Sequence, residues 1–213
     1  RGTAVLQNVA GNSAQGNRSL AVTYTHLATG RVTRVATPTF VTSEYLRAGG
    51  YAIVASPTLY SGQKLRMRLS ADMGNESSVV GGLYIRIYET GERTNMIKGP
   101  SAELKPGEAH ELSWLVPDTA GLPIAEVGLE LSSPTGGRTD GTVYLDYLDW
   151  KGSPSVTWTA RGPMSIRAWA NGVDQLGTEG EGYRLVQNEG IGLAIQGVRE
   201  WQDYSASVEL RPH

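Results

Sequence analysis

The sequence predicts an all-β fold built around an antiparallel β-sandwich, and two observations carry this prediction. The first is a hydrophobic pattern with a period of two, which is typical of half-buried strands. The second is the placement of turn-forming clusters between the alternating segments, at 47–50, 61–62, 105–107 and 133–137. No segment shows a convincing helical stripe. Short strands separated by such turns favour a sandwich.

Each predicted strand rests on apolar residues at every second position. In chain order the segments are LAVTY at 20–24, LRMRL at 65–69, LYIRIY at 83–88, ELSWLV at 111–116, VGLEL at 127–131 and VYLDYLDW at 143–150. The last of these contains Trp150, which under strict alternation shares a face with Tyr144. Trp150 could seal a domain junction or lie on a ligand face, of which we favour the junction, and we expect Trp114 to enter the core.

The best domain boundary lies at 151–154, where the last of these strands ends in Lys-Gly-Ser-Pro. Residues 1–152 suffice for a complete sandwich. Residues 153–213 contain further strand-like segments at 156–159, 165–170, 183–187, 192–196 and 204–210. So few residues make a marginal core. This second, smaller or incomplete β portion therefore either packs on the first sandwich or, as we favour, begins a second domain. We expect the chain to be a piece of a longer polypeptide.

Composition excludes several classes of function. The 213 residues carry 19 basic and 21 acidic side chains, a net charge of −2, which argues against a nucleic-acid binder or a basic membrane-surface protein. No stretch approaches the roughly 18 apolar residues of a membrane span. Cysteine is absent, which excludes a disulfide framework and a cysteine nucleophile. This composition fits a bacterial protein, either extracellular or cytoplasmic.

The aromatic residues suggest a wet surface, because five Trp and ten Tyr stand against a single Phe. Burying the odd positions of 83–88 leaves Tyr84, Arg86 and Tyr88 in a row on the opposite face. The same reasoning points Arg66 and Arg68 outward from 65–69. If the two strands share a sheet, the five side chains form a platform on which a sugar ring could stack and hydrogen-bond. The alternative is an ordinary solvent-facing sheet with cross-strand pairs.

Catalytic motifs are missing from the sequence. The three histidines lie in unrelated contexts, and the glycine-rich segment 177–182 carries two acidic residues that would repel phosphate. We expect that segment to be a solvated loop, and the alternative is a calcium-binding loop. Paired carboxylates such as Glu130 and Asp146 would suit a glycoside hydrolase, but they lie on different strands. We therefore disfavour an enzyme.

Asp146 lies inside an otherwise hydrophobic strand, where an unpaired carboxylate would be costly. It needs a backbone amide, an arginine or a cation as its partner. Asn17, Ser19 and Asp149 could add oxygen ligands for calcium. A hydrogen-bonded structural aspartate and a calcium ligand both remain open.

Three segments, GNRSL at 16–20, ASPTLYSGQ at 55–63 and GTVYLDYLDW at 141–150, resemble a galactose-binding-like, jelly-roll carbohydrate-binding module. The resemblance implies a jelly roll, glycan binding and a structural calcium at Asp146, with Ser19 and Asn17 as further ligands. Segment 183–204, with its Trp-x-Asp-Tyr at 201–204, is similar to the start of a concanavalin-like jelly roll. This tandem resembles the non-catalytic C-terminal region of some bacterial ADP-ribosylglycohydrolase-type proteins.

These observations together predict a non-catalytic, glycan-recognising segment of a larger, bacterial enzyme. Its partners would be a polysaccharide and a neighbouring catalytic domain of the parent chain, with no nucleic acid and no membrane. The predicted ligand-binding residues are Tyr84, Arg86, Tyr88, Arg66 and Arg68, and the predicted metal ligands are Asp146, Asn17 and Ser19. The alternatives are a glycoside hydrolase with paired carboxylates and a ligand-free structural spacer.

Overall fold

The computed structural model describes residues 3–39, 59–89, 93–134, 137–155, 170–179 and 182–195, together with 203, 205, 206 and 208–212. These residues contain thirteen strands and no helix. The first nine are β1 (Thr3–Ala10), β2 (Arg18–Leu27), β3 (Val32–Pro38), β4 (Lys64–Ala71), β5 (Val79–Tyr88), β6 (Thr94–Leu104), β7 (Ala109–Leu115), β8 (Ile124–Ser132) and β9 (Thr139–Lys151). The last four are short: β10 (Ala170–Gly172), β11 (Gln175–Glu179), β12 (Gly182–Val186) and β13 (Leu193–Ile195).

The first nine strands form two antiparallel sheets. A five-stranded sheet has the order β1-β2-β9-β4-β7, and a four-stranded sheet has the order β3-β8-β5-β6. Their inner faces enclose one hydrophobic core, to which the five-stranded sheet contributes Leu65, Met67 and Leu69 and the four-stranded sheet contributes Leu83 and Ile85. The predicted all-β antiparallel sandwich is confirmed.

The six strands predicted from alternation are confirmed, since they lie within β2, β4, β5, β7, β8 and β9. The turns at 61–62 and 105–107 are confirmed as well. Trp114 packs against the core as expected, and its ring fills the space where a Cβ on Gly99 would lie. The turn predicted at 47–50 lies outside the described residues.

Within the sandwich, the strands that alternation missed are β1, β3 and β6, and each is an edge strand of its sheet. Outside the sandwich, alternation missed β11, which occupies part of the segment 177–182 that was expected to be a loop. Most residues of β1 are exposed on both faces, including Val5 and Leu6. An edge strand buries less side-chain surface than a central strand, so its sequence carries a weaker period-two signal.

One irregularity decides which side chains of β9 face outward. Leu145 pairs with Leu69 and Tyr147 pairs with Arg68, so Asp146 has no partner in the register of β4. This β-bulge reverses the alternation after Asp146. Trp150 consequently packs against the core, on the side opposite to Tyr144.

In the second portion, β11 and β12 form a hairpin and β10 pairs with β13. The strands predicted at 183–187 and 192–196 correspond to β12 and β13. The segment 156–159 and most of 165–170 lie outside the described residues. The strand predicted at 204–210 is not found at its described positions, 205, 206 and 208–210. The division at 152 stays a prediction. Within the described ranges there is no helix of the length and hydropathy that crossing a membrane requires.

Candidate functional site

The outer face of the five-stranded sheet carries a group of half-buried aromatic and charged side chains. In the register of β4 and β9, Arg66 lies opposite Asp149 and Arg68 lies opposite Tyr147, while Tyr144 follows on the far side of the bulge. We call this set, Arg66, Arg68, Tyr144, Tyr147 and Asp149, the Tyr-Arg surface. All five residues are partly exposed.

Arg66 is fixed at the centre of this surface. Its Nε and Nη2 donate to the two carboxylate oxygens of Asp149 at 3.0 and 2.7 Å. Its guanidinium carbon lies 5.6 Å from the centre of the Tyr147 ring, which is within cation–π range. The hydrogen bond with Asp149 raises the pKa of Arg66. The two-point contact holds the guanidinium in one orientation.

Both tyrosine hydroxyls of the surface are tied to carboxylates. The Tyr144 hydroxyl donates to Oδ2 of Asp72 at 2.5 Å, and the Tyr147 hydroxyl donates to Oε2 of Glu111 on β7. These hydrogen bonds raise the pKa of both tyrosines, and the bond from Tyr144 lowers the pKa of Asp72. Each ring is thereby held in a defined position without losing all of its exposed area.

The predicted platform of five side chains is wrong, because β4 and β5 belong to different sheets. Arg66 and Arg68 lie on the outer face of the five-stranded sheet, whereas Tyr84, Arg86 and Tyr88 lie on the four-stranded sheet. A period of two identifies the face of a strand but not the sheet that the strand joins. The five residues therefore lie on two separate surfaces and cannot contact one ligand together.

Tyr84 is poorly placed for stacking, since it is only 1 % exposed. Its ring lies over Gly128 of β8, so that a Cβ on Gly128 would meet two ring carbons at 2.6 Å. Burial and then the neighbouring Glu126 raise the pKa of Tyr84 to about 12. Arg86 is partly exposed, and its Nε donates to Glu126 at 2.8 Å. Tyr88 is half-buried at the end of β5.

The carboxylate pair considered for hydrolysis does not form a catalytic pair. Glu130 lies on β8 of one sheet and Asp146 on β9 of the other. Glu130 accepts hydrogen bonds from Arg34 and from Lys98, each at 2.7 Å. Burial opposes ionisation of Glu130, but these two cations outweigh it and lower its pKa. A carboxylate held ionised by two cations is a poor general acid.

The predicted metal ligands are engaged in other contacts. Oδ2 of Asp146 accepts from the backbone N–H groups of Ala14 at 2.7 Å and Gln15 at 3.4 Å, and it lies 3.5 Å from Nη1 of Arg68. The Ser19 hydroxyl donates to the carbonyl of Gly11 at 2.9 Å.

The backbone carbonyl of Asn17 closes the β1–β2 loop, because it accepts a hydrogen bond from the Gly11 N–H at 2.9 Å. Asp149, a further oxygen source, is bound to Arg66. The residues that the structure describes hold no cluster of three or more His, Asp or Glu side chains suited to a metal.

This donor set fits calcium poorly. Calcium takes about six to eight oxygen ligands, whereas amide hydrogens and a guanidinium face Asp146 here. The buried Oδ1 of Asp146 accepts no hydrogen bond from the described residues and is the one carboxylate oxygen left for a cation. The contacts favour a hydrogen-bonded structural aspartate, and calcium at Asp146 stays a prediction.

Sequence reasoning missed Tyr144, Tyr147 and Glu111 as surface residues. A signal was present in the repeat Tyr-Leu-Asp-Tyr-Leu-Asp at 144–149. Because a repeat of three conflicts with a strand period of two, the two tyrosines can share one face only if a bulge interrupts the strand. With the bulge placed at Asp146, both tyrosines face outward.

No protein-family model matches the sequence, and no curated protein matches it. Among solved structures, one of carbohydrate-binding modules from the β-sandwich superfamily has a TM-score of 0.49 at 15 % identity. The match covers 71 % of this chain and 54 % of that chain, so this chain spans about half the length of that protein.

Two further solved structures are similar to this chain. The xylan-binding domain CBM22-2 of Xyn10C from Paenibacillus barcinonensis has a TM-score of 0.45 at 15 % identity, with 72 % of this chain and 89 % of that chain covered. The C-terminal family 22 carbohydrate-binding module of Clostridium thermocellum Xyn10B has a TM-score of 0.46 at 13 % identity, and the match covers 70 % of this chain and 82 % of that chain.

Proposed function

We propose that residues 1–152 form a non-catalytic carbohydrate-binding module that binds a glycan on the Tyr-Arg surface. The observation that carries the proposal is the arrangement of the partly exposed Tyr144, Tyr147 and Arg66 on one sheet face, each held in place by a carboxylate. Side chains that are already fixed lose little conformational entropy when a ligand binds.

The chemistry of this surface suits a sugar. A pyranose ring presents C–H groups that pack on the face of a tyrosine, and its hydroxyls require donors and acceptors at the ring edge. The arginines of the surface supply N–H donors, and Asp149 and Glu111 supply oxygen acceptors. Tyr144 and Tyr147 are three residues apart on β9, so their Cα atoms are separated by roughly 10 Å at most. An extended glycan would contact both rings.

The outer face of the four-stranded sheet is less suited to glycan binding than the Tyr-Arg surface. Tyr84 is buried there, and Arg86 is paired with Glu126. Tyr88 is the one predicted aromatic residue of that face with partial exposure. Binding on that face stays a prediction, and Tyr88 provides a matched comparison for the tyrosines of the Tyr-Arg surface.

The experiment is affinity electrophoresis in gels containing neutral polysaccharides such as xylan and galactan or an acidic one such as polygalacturonate. Calorimetry with soluble oligosaccharides follows for any polymer that retards the protein. We expect Tyr144→Ala and Tyr147→Ala to weaken binding about 2- to 10-fold each, because an aromatic contact contributes roughly 0.5–1.5 kcal/mol beyond buried area. Tyr88→Ala should leave binding unchanged.

Two results would count against this function. Retardation by none of the polysaccharides would favour a ligand-free spacer. Binding that is lost in Tyr88→Ala but retained in both other variants would move the site to the four-stranded sheet. Circular dichroism of each variant shows whether the fold is intact.

We further propose that the module belongs to a longer bacterial chain and places a neighbouring catalytic domain on its substrate. The ADP-ribosylglycohydrolase-type context rests on sequence resemblance, as does the second portion as the start of a concanavalin-like jelly roll. Mass spectrometry of the full-length protein, followed by an assay of its catalytic part with and without 1–152, tests this arrangement. Equal turnover of polymeric substrate by both forms would argue against a targeting role.

A further inference from the structure

We propose that Asp146 anchors the β1–β2 loop through backbone amides and that Arg68 supplies the positive charge that the sequence resemblance assigns to calcium. The proposal concerns residues 11–17, Asp146 and Arg68, which we call the loop anchor. Arg68 belongs to both the loop anchor and the Tyr-Arg surface, but the experiments below measure how the loop is held and do not depend on glycan binding.

The shape of the loop brings its amides to the carboxylate. Gly11, Asn12 and Gly16 all have positive φ, at 79°, 54° and 72°, and the Gly11 N–H closes the loop on the carbonyl of Asn17 at 2.9 Å. The consecutive N–H groups of Ala14 and Gln15 then point at the same oxygen of Asp146. Successive amides around such turns form a concavity that binds anions.

The bulge places the carboxylate within reach of this concavity. Asp146 is the extra residue of β9 and has no partner on β4. A bulge re-aims a side chain away from the regular pleat. Leu145 pairs with Leu20 just after the loop ends, so the bulge lies beside the strand that the loop enters.

The charge of Asp146 is balanced by the protein itself. Its side chain is 1 % exposed, and a buried carboxylate needs hydrogen bonds and a counter-charge. The two amides supply the hydrogen bonds, and Arg68 at 3.5 Å supplies the counter-charge. A calcium ion on the remaining oxygen, Oδ1, would be repelled by the same guanidinium. The Asp146 carboxylate therefore contacts a guanidinium and two amide N–H groups, whereas a calcium site would place several oxygen ligands around a cation.

The first experiment uses the unmodified protein, so it does not depend on a variant that folds. Thermal unfolding is measured after chelation with EDTA and again with calcium chloride in millimolar excess, alongside calorimetric titration with calcium chloride alone. We expect the same Tm in both solutions and no binding heat. A Tm that rises with calcium, together with binding heat that disappears in Asp146→Asn, would overturn the proposal.

The second experiment measures directly whether Asp146 protects the amides of the loop. Amide hydrogen exchange at Ala14 and Gln15 should accelerate at least 10-fold in Asp146→Ala, while exchange in the β4–β7 pairing stays slow. Asp146→Asn, which keeps one acceptor oxygen, should retain part of the protection. Unchanged exchange at Ala14 in a folded Asp146→Ala protein would contradict the anchor.

The contribution of Arg68 needs a matched control, and Arg86 provides one. Both arginines are ion-paired and similarly exposed, at 27 % and 30 %, on opposite sheets. Arg68→Gln should lower the Tm more than Arg86→Gln, because only Arg68 faces a carboxylate that is 1 % exposed. An equal or smaller loss would show that Arg68 does not supply the counter-charge.

Discussion

Replacing Gly128 with alanine tests how the two central strands of the four-stranded sheet pack on their outer side. A Cβ at Gly128 would lie 2.6 Å from Cε1 and Cζ of Tyr84 and 2.6 Å from the carbonyl oxygen of Val35. Carbon atoms in contact are normally about 3.5–4.0 Å apart. The tyrosine is fully enclosed, and Val35 belongs to the neighbouring β3. Neither can withdraw without disturbing the sheet.

The size of the effect follows from this crowding. Inserting a methyl group into a well-packed site costs about 1–3 kcal/mol, and the backbone oxygen places Gly128→Ala in the upper part of that range. Alanine also reduces the conformational entropy of the unfolded chain, and this stabilises the folded state by about 0.4–1 kcal/mol where the native backbone suits alanine. A net loss of about 2 kcal/mol corresponds to a fall in Tm of roughly 4–8 °C for a chain of this size.

The assay is thermal unfolding followed by tryptophan fluorescence, with Gly137→Ala as the matched control. Gly137 does not have a positive φ, and a Cβ there would meet nothing within 4 Å. We expect Gly137→Ala to leave the unfolding midpoint unchanged or to raise it slightly. Equal midpoints for the two variants would refute the packing of Tyr84 over Gly128, and with it the assignment of Tyr84 as a buried structural residue.

Two pH dependences follow from the tyrosines. Burial raises the pKa of both Tyr24 and Tyr84 from 10.0 to about 12, so the stabilisation from the neutral tyrosines is complete below pH 10 and is lost as the pH rises towards 12. Tyr24→Phe and Tyr84→Phe should therefore each reduce the fall in Tm between pH 10 and 12. An unchanged slope of Tm against pH in both variants would contradict this. At the acidic end, the Tyr144 hydroxyl and then the Gly74 N–H lower the pKa of Asp72 below its usual 3.8. That stabilisation is present above pH 3.8 and is lost as the pH falls through the lowered pKa, so Tyr144→Phe should make the acid limb of the Tm profile shallower, and an identical acid limb would count against the hydrogen bond.

The interior strands could be predicted from the sequence because each has one buried face. Alternation in 65–69 and 83–88 identifies the residues that enter the core, such as Met67 and Ile85, and both are fully buried. The strands β1, β3 and β6 could not be predicted in this way. Each lies at an edge, where weaker burial leaves the apolar pattern incomplete, whereas the edge strand β7 was predicted because Leu112 and Trp114 keep the alternation.

The candidate site could be predicted only in part, because its composition depends on long-range pairing. Alternation correctly turned Arg66 and Arg68 outward from β4. It could not show that β4 pairs with β7 and β9 while β5 pairs with β6 and β8. Sequence neighbours such as β4 and β5 pair in many antiparallel sheets, but here the chain crosses from one sheet to the other between them.

The bulge at Asp146 connects the two proposals physically. Without the extra residue, regular alternation would turn Tyr147 and Asp149 inward and would place Trp150 on the outer face. With it, Tyr147 and Asp149 meet Arg66 on the outer face, and Trp150 packs against the core. The same residue directs its carboxylate to the amides of the β1–β2 loop. The Tyr-Arg surface and the loop anchor are therefore two consequences of a single departure from the strand period, so a variant that removes the bulge should disrupt both.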